Sequence, residues 1–185
     1  IISIYKQEKF SFSHFSLVSE GKFHPFDSLW NYMDIPHANF VHEQIDAEYT
    51  VVGDEHASVV SFQKLLGLRI PLSITNYSRD PTSATYYMTW FFFILIIEST
   101  AEEVESGLTK VTTNYHLGST ALFKLLHPII RWILTRNYKT LMAVDIPMRE
   151  RRGQLREWGY SFGNENPKHS FERSLDVSRQ NVIFP

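Results

Sequence analysis

The chain contains no cysteine. Disulfides, thiolate-held iron–sulfur clusters and zinc ribbons are therefore excluded. No charge of either sign dominates: the formal net charge is −2. A nucleic-acid partner and a strongly anionic membrane surface thus lack electrostatic support. Long apolar runs are missing too. The longest, Trp90 to Ile97, is far too short to cross a bilayer as a helix, so no membrane span is expected. The first residues, Ile-Ile-Ser-Ile-Tyr-Lys, have neither the charged nor the apolar region of a signal peptide. They also lack an initiator Met, as in a trimmed chain or a piece of a longer one. Nothing favours secretion, so a cytoplasmic setting is expected. Internal repeats and low-complexity segments are absent.

What remains is ordinary in bulk and unusual in its aromatics. A length of 185 residues suits one well-buried domain, expected to span 1–185. Aromatic residues reach 15%, with Phe the most frequent. That suits broad sheet surfaces or a roomy apolar pocket. Residues 1–20 alternate weakly and read as a strand or an extended arm. From about 48 to 117 the pattern is β: Tyr49 to Val52, Val59 to Phe62, Leu68 to Tyr77, a long run from Thr85 to Ser99, and Gly107 to His116. Short connections between these runs predict an antiparallel meander. From 119 to 158 the period becomes helical, with Leu122, Leu125, Leu126, Ile129, Ile130, Ile133 and Leu134 at core spacing. Pro128 is expected to kink this helix, and a second stretch is expected from Tyr138 across Pro147 to Trp158. The tail 160–185 is polar. Strands followed by helix predict an α+β fold.

The segment 28–43 carries the chemistry. It reads Asn31-x2-Asp34-x2-His37-x4-His42. Two imidazoles and one carboxylate from elsewhere make the facial triad of non-heme Fe(II) oxygenases, which leaves positions open for oxygen. On a straight helix His37 and His42 would point about 140° apart. Pro36 disfavours helical geometry at Ile35, and a break there would let the rings converge. By chance the pattern arises in on the order of one such chain per thousand. The plainer alternative is that Asn31 and Asp34 cap helices while His37 and His42 are packed or surface histidines.

This motif resembles the mononuclear-iron motif of Rieske-type non-heme iron oxygenases. The resemblance covers roughly residues 25–160. It implies a helix-grip catalytic domain (START/Bet v 1-like), a curved antiparallel sheet packed on a long C-terminal helix. It implies His37 and His42 as imidazole ligands of mononuclear Fe(II). The third ligand, expected about a hundred residues later, would be Asp145, within Asn137-Tyr-Lys-Thr-Leu-Met-Ala-Val-Asp145. Asp34 would link the iron site to a neighbour's cluster at a subunit junction, with Asn31 supporting it. An acidic residue often precedes the third ligand in the family; here it is Val144. The larger departure is the missing Rieske [2Fe–2S] domain. Without cysteine the chain cannot hold that cluster, so electrons would come from a separate Rieske protein or a ferredoxin/reductase. The substrate would be a hydrophobic or aromatic small molecule, and the assembly a homo- or hetero-oligomer, a trimer by resemblance.

Two other classes fit the same scaffold: a metal-free binder of hydrophobic ligands or cyclase-like protein, and a non-catalytic subunit of a mixed oligomer. Other residues carry lesser expectations. His24, His56, His116 and His127 are alternative ligands, with His127 read as a packed helix histidine. His14 and His169 fall in terminal segments read as irregular. Glu43, Asp46 and Glu48 read as a solvated face. Asp145 could instead cap a helix before Pro147. Arg149, Arg151, Arg152 and Arg156 suggest i, i+4 pairing with Glu150 and Glu157, or a docking face for an electron donor.

Overall fold

Alternation along the strands decides what faces the interior. In β1 (Phe10–Gly21) Phe15 is buried and Leu17 packs beside it, while His14 and Ser16 are exposed. In β7 (Leu108–Thr120) Thr109, Val111, Thr113, Tyr115 and Leu117 are all buried. A period of two gives each strand one face toward the core. The computed structural model describes residues 10–29, 45–52, 56–65, 68–80, 82–90 and 92–160. The remaining strands are β2 (Ile45–Val52), β3 (His56–Leu65), β4 (Leu68–Asp80), β5 (Ser83–Trp90) and β6 (Phe93–Glu105). They form one seven-stranded sheet in the order β1-β7-β6-β5-β4-β3-β2, and every pairing is antiparallel. Register shifts interrupt three pairings, at Ala47/Tyr49, Tyr77/Asp80 and Glu103/Glu105. Such bulges bend strands and let a sheet curve. The β6–β7 hairpin turns at Gly107, whose φ is 76°, a left-handed geometry that glycine adopts without steric cost.

The N-terminal strand is therefore a full partner of β7 and not a loose arm. The run from Thr85 to Ser99 is two strands, because the chain reverses between Trp90 and Phe93. After β7 comes a 3-10 turn (Ala121–Leu126), and then one helix of 31 residues. A short helix, α1 (Pro25–Ser28), precedes it in the chain; the long one, His127–Glu157, is α2. The expected break between two helical stretches does not occur. Pro128 lies at the first turn, where its missing N–H costs nothing, so it starts the helix instead of kinking it. At about 1.5 Å per residue α2 is roughly 46 Å long.

The expected apolar face of α2 splits. Ile130 and Leu134 pack on the core with Tyr138 and Met142, but Ile129 and Trp132 are exposed, as are Leu122 and Leu125 in the 3-10 turn before it. The first turns are apolar on two adjacent stripes, and only one stripe can meet the sheet. The motif residues Asn31, Asp34, His37 and His42 lie outside the described residues, as do Glu43 and His169.

The segment between β1 and α1 is fastened at several points. Thr109 Oγ1 donates to the carbonyl of Phe23. The Lys22 N–H donates to Glu150 on α2 at 3.1 Å. Asp27, with no exposed surface, receives Arg152 Nε at 2.7 Å and Arg156 Nη2 at 2.8 Å. Arg152 and Arg156 thus turn toward α1, and Arg149 is fully buried, so these cations do not form the solvated docking face. Replacing Asp27 with Asn leaves two guanidinium groups facing a neutral amide. Asp27→Asn is expected to lower stability by roughly 3 kcal/mol. That is the low end for a broken buried pair, because both arginines keep some solvent contact. Urea unfolding monitored by circular dichroism measures it; a change below about 0.5 kcal/mol would show that the pair is dispensable.

Candidate functional site: the interior under the long helix

Part of the inner wall of the sheet is built from small side chains. Ser61, Ser78, Ala84, Ser99, Ala101 and Thr109 are all buried there. A core closed only on itself fills such positions with Leu, Ile, Val or Phe. Hydroxyls on this wall are satisfied locally: Ser99 and Thr113 pair at 3.2 Å, and Ser78 donates to the Ser83 carbonyl at 2.8 Å. Around them sit large rings with polar tips, Tyr86 and Trp90, beside Met88 and Ile97. Phe93, Leu95, Tyr115, Tyr138 and Met142 close the end nearest β1. Tyr138 donates to Ser19 Oγ at 3.0 Å, tying the middle of α2 to β1.

At the start of α2 lies a buried Ser–His pair. Ser119 Oγ is 2.7 Å from His127 Nε2, and Ser119 also donates to the Thr120 carbonyl at 3.0 Å. With the hydroxyl proton committed to that carbonyl, His127 Nε2–H is the donor and Nδ1 carries a lone pair. Nδ1 is buried and has no hydrogen-bond partner among the described residues. The Phe93 ring lies 6.4 Å away, with Phe123 stacked against Phe92 beside it. Burial pushes the His127 pKa below its usual value, and Lys124 adds a smaller push. His127 is indeed a packed helix histidine, but one with an acceptor left over. Its partner serine was not legible: only the turn after β7 brings residues eight apart to one point.

A second polar node lies further along α2. Asp145 is buried, and Arg149 Nη2 stands 3.5 Å from its Oδ2 one turn on. Arg149 in turn lies over the Phe23 ring at 5.9 Å. Asp145 is therefore not a helix cap; α2 continues through it because Pro147 interrupts only one backbone hydrogen bond. His24 also has a structural job, accepting the Phe26 N–H as the cap of α1. His14 lies in a regular strand, contrary to expectation, and pairs with His116 on the face away from α2. Among the described residues, no group of three or more His, Asp or Glu side chains is placed to hold a metal ion. Also among them, no helix is long and apolar enough to cross a membrane.

No family model and no curated protein matches the sequence. Solved structures do match the fold. The Zhui aromatase/cyclase from Streptomyces sp. R1128 superposes with a TM-score of 0.63 at 14% identity, over 77% of this chain and 96% of that one. A START superfamily protein from Mycobacterium smegmatis gives 0.59 at 8%, over 75% and 97%. A dicamba monooxygenase bound to 3,6-dichlorosalicylic acid gives 0.59 at 12%, over 94% of this chain but 61% of that one. The fold is helix-grip. At these identities the likeness extends to the fold and no further.

The buried His127 makes folding stability depend on pH. A buried imidazole with a lowered pKa disfavours the proton in the folded state, so the unfolded chain binds more protons below about pH 6.5. Stability is full above that pH and falls as pH drops through the folded-state pKa. His127→Gln is expected to flatten this acid slope by up to about 1.4 kcal/mol per pH unit. Denaturation midpoints of both proteins between pH 5 and 8 check it; identical slopes would place the imidazole in solvent.

Proposed function

We propose that this chain binds a hydroxylated aromatic small molecule between its sheet and α2, as a metal-free ligand-binding or cyclase-like helix-grip protein. The observation that carries this reading is the inner wall: small side chains are buried beside aromatic rings that would supply an apolar lining, and an acceptor without a partner among the described residues waits at His127 Nδ1. Ligand sites typically pair an apolar lining with a few placed polar groups. An aromatic body would pack against Trp90, Phe93 and Tyr86, and its hydroxyl would donate to Nδ1. Aromatase/cyclases and START proteins among the structural neighbours support this class.

Paired titrations test it. The protein is expected to bind 2-naphthol more tightly than naphthalene, read by quenching of Trp fluorescence. His127→Phe is expected to remove that preference, costing 2-naphthol about tenfold and naphthalene little, as for one lost buried hydrogen bond. Absence of saturable binding by both compounds would sink the proposal.

A second reading rests on one observation. The dicamba monooxygenase matches 94% of the chain, against 77% for the aromatase/cyclase, and its class carries the motif that Asn31, Asp34, His37 and His42 resemble. In this reading His37, His42 and Asp145 would hold mononuclear Fe(II). The two imidazoles suit iron, but Asp145, the one described member, has the Arg149 guanidinium 3.5 Å from its Oδ2. That pairing already compensates the buried carboxylate, and the fit is therefore poorer than the spacing suggested. When bound, iron would supply oxygen activation. Asp34, with Asn31 behind it, would face the separate electron donor that a cysteine-free chain requires, at the junction of an oligomer. Anaerobic loading decides: one equivalent of Fe(II), lost in both His42→Ala and Asp145→Asn, is the expected outcome of this reading. Wild-type protein without stoichiometric iron removes it and leaves the metal-free reading standing.

A further inference from the structure

The sheet face turned away from α2 carries a histidine pair that neither reading uses. His14 on β1 and His116 on β7 are direct cross-strand partners. Their Nδ1 atoms lie 2.7 Å apart. On its other side, His116 Nε2 meets Glu98 Oε2 of β6 at 2.9 Å. A carboxylate only accepts, so Nε2 of a neutral His116 holds the proton and Nδ1 holds the lone pair. Glu98 thereby fixes which nitrogen of His116 faces His14. That is how an outer carboxylate orients a metal-bound imidazole and raises its basicity.

His14 is held as well. Its ring stacks near the Phe12 ring, with centroids 6.4 Å apart and planes 12° from parallel. Phe12 lies across Gly118, where a Cβ would come within 2.6 Å of the ring. Only a residue without a side chain leaves that bed for Phe12, and Phe12 in turn flanks His14. The neighbouring row on this face is polar: Ser16 Oγ donates to Asn114 Oδ1 at 2.6 Å. His14 is solvent-exposed and His116 partly so, so water can reach the pair.

We propose that His14 and His116 chelate a divalent late transition-metal ion, with Glu98 as the positioning carboxylate and water completing the coordination shell. In the pair as it stands one proton lies between the two Nδ1 atoms, donated by His14. Moving it to His14 Nε2, which keeps the ring neutral, leaves two Nδ1 lone pairs facing each other across 2.7 Å, and a turn of the two rings, whose planes now stand 75° apart, aims both at one ion. At a metal–imidazole distance of about 2.0–2.1 Å, two nitrogens 2.7 Å apart subtend roughly 82° at the metal. That is close to the right angle of adjacent positions in tetragonal Cu(II) or Ni(II) and far from a tetrahedral angle. The site needs no third protein ligand. It is separate from the interior under α2.

Calorimetric titration with NiCl2 tests the site. Wild-type protein is expected to bind one equivalent. His14→Gln and His116→Gln are each expected to abolish it, and Glu98→Gln to weaken it about tenfold, as for a lost outer carboxylate. His42→Ala is expected to leave it unchanged, which separates this site from the iron motif. With Cu(II), the paramagnetic resonance spectrum is expected to show two equatorial nitrogens, lost in either histidine variant. Absence of wild-type binding, binding that survives His14→Gln and His116→Gln, or binding lost in His42→Ala would each overturn the proposal.

Discussion

The buried carboxylate of Asp27 organises the molecule. It has no exposed surface and is gripped by Arg152 and Arg156 from the last turns of α2. A lone charge could not stay there; burial is tolerable only because two guanidinium groups meet both oxygens. The consequence is geometric. The C-terminal end of α2 is pinned to the segment that follows β1, and Tyr138 pins its middle to β1 itself. Arg149, with Asp145 and the Phe23 ring, extends the same charged seam inward. A long helix that would otherwise slide on an apolar surface is thus held in one register over the sheet.

With the helix so held, the two faces of the same strands are free to differ. In β7 the inward residues run Thr109, Val111, Thr113, Tyr115, Leu117, and Ser119 ends the row beside His127. The outward residues include Asn114 and His116, joined across strands to Ser16 and His14. A period of two separates an interior where His127 Nδ1 lacks a partner among the described residues from an outer surface with a preformed imidazole pair. The interior reading and the outer metal site therefore stand on the same backbone but on independent side chains.

Much of the architecture was legible before any coordinates. Alternating strands, short connections and a late switch to a 3.6-residue period predicted an antiparallel meander followed by helix; the curvature of the sheet and the single long helix were implied only by the family resemblance. The misreadings were local and have local causes. Pro128 read as a kink because proline's effect depends on its distance from the helix start, which sequence leaves uncertain by a few residues. Leu122 and Leu125 read as core helix because periodicity does not show that a 3-10 turn precedes the helix, and Ile129 because a doubly apolar helix has two stripes that periodicity cannot rank. Arg152 and Arg156 read as surface cations because their partner, Asp27, is more than a hundred residues away.

By itself the sequence determined the absence of thiolate chemistry, the order of strands and helix, and the spacing of the Asn31–His42 motif. These depend on residue type and short-range periodicity, which a linear chain states directly. Tertiary structure alone decided which polar groups meet. It set Arg152 and Arg156 on Asp27, placed Ser119 against His127, and closed His14, His116 and Glu98 into one chain of contacts. Each of those contacts depends on strand register or helix docking, and a hydrogen bond needs its two atoms within about 3 Å. No pattern in one dimension specifies that distance between residues a hundred positions apart.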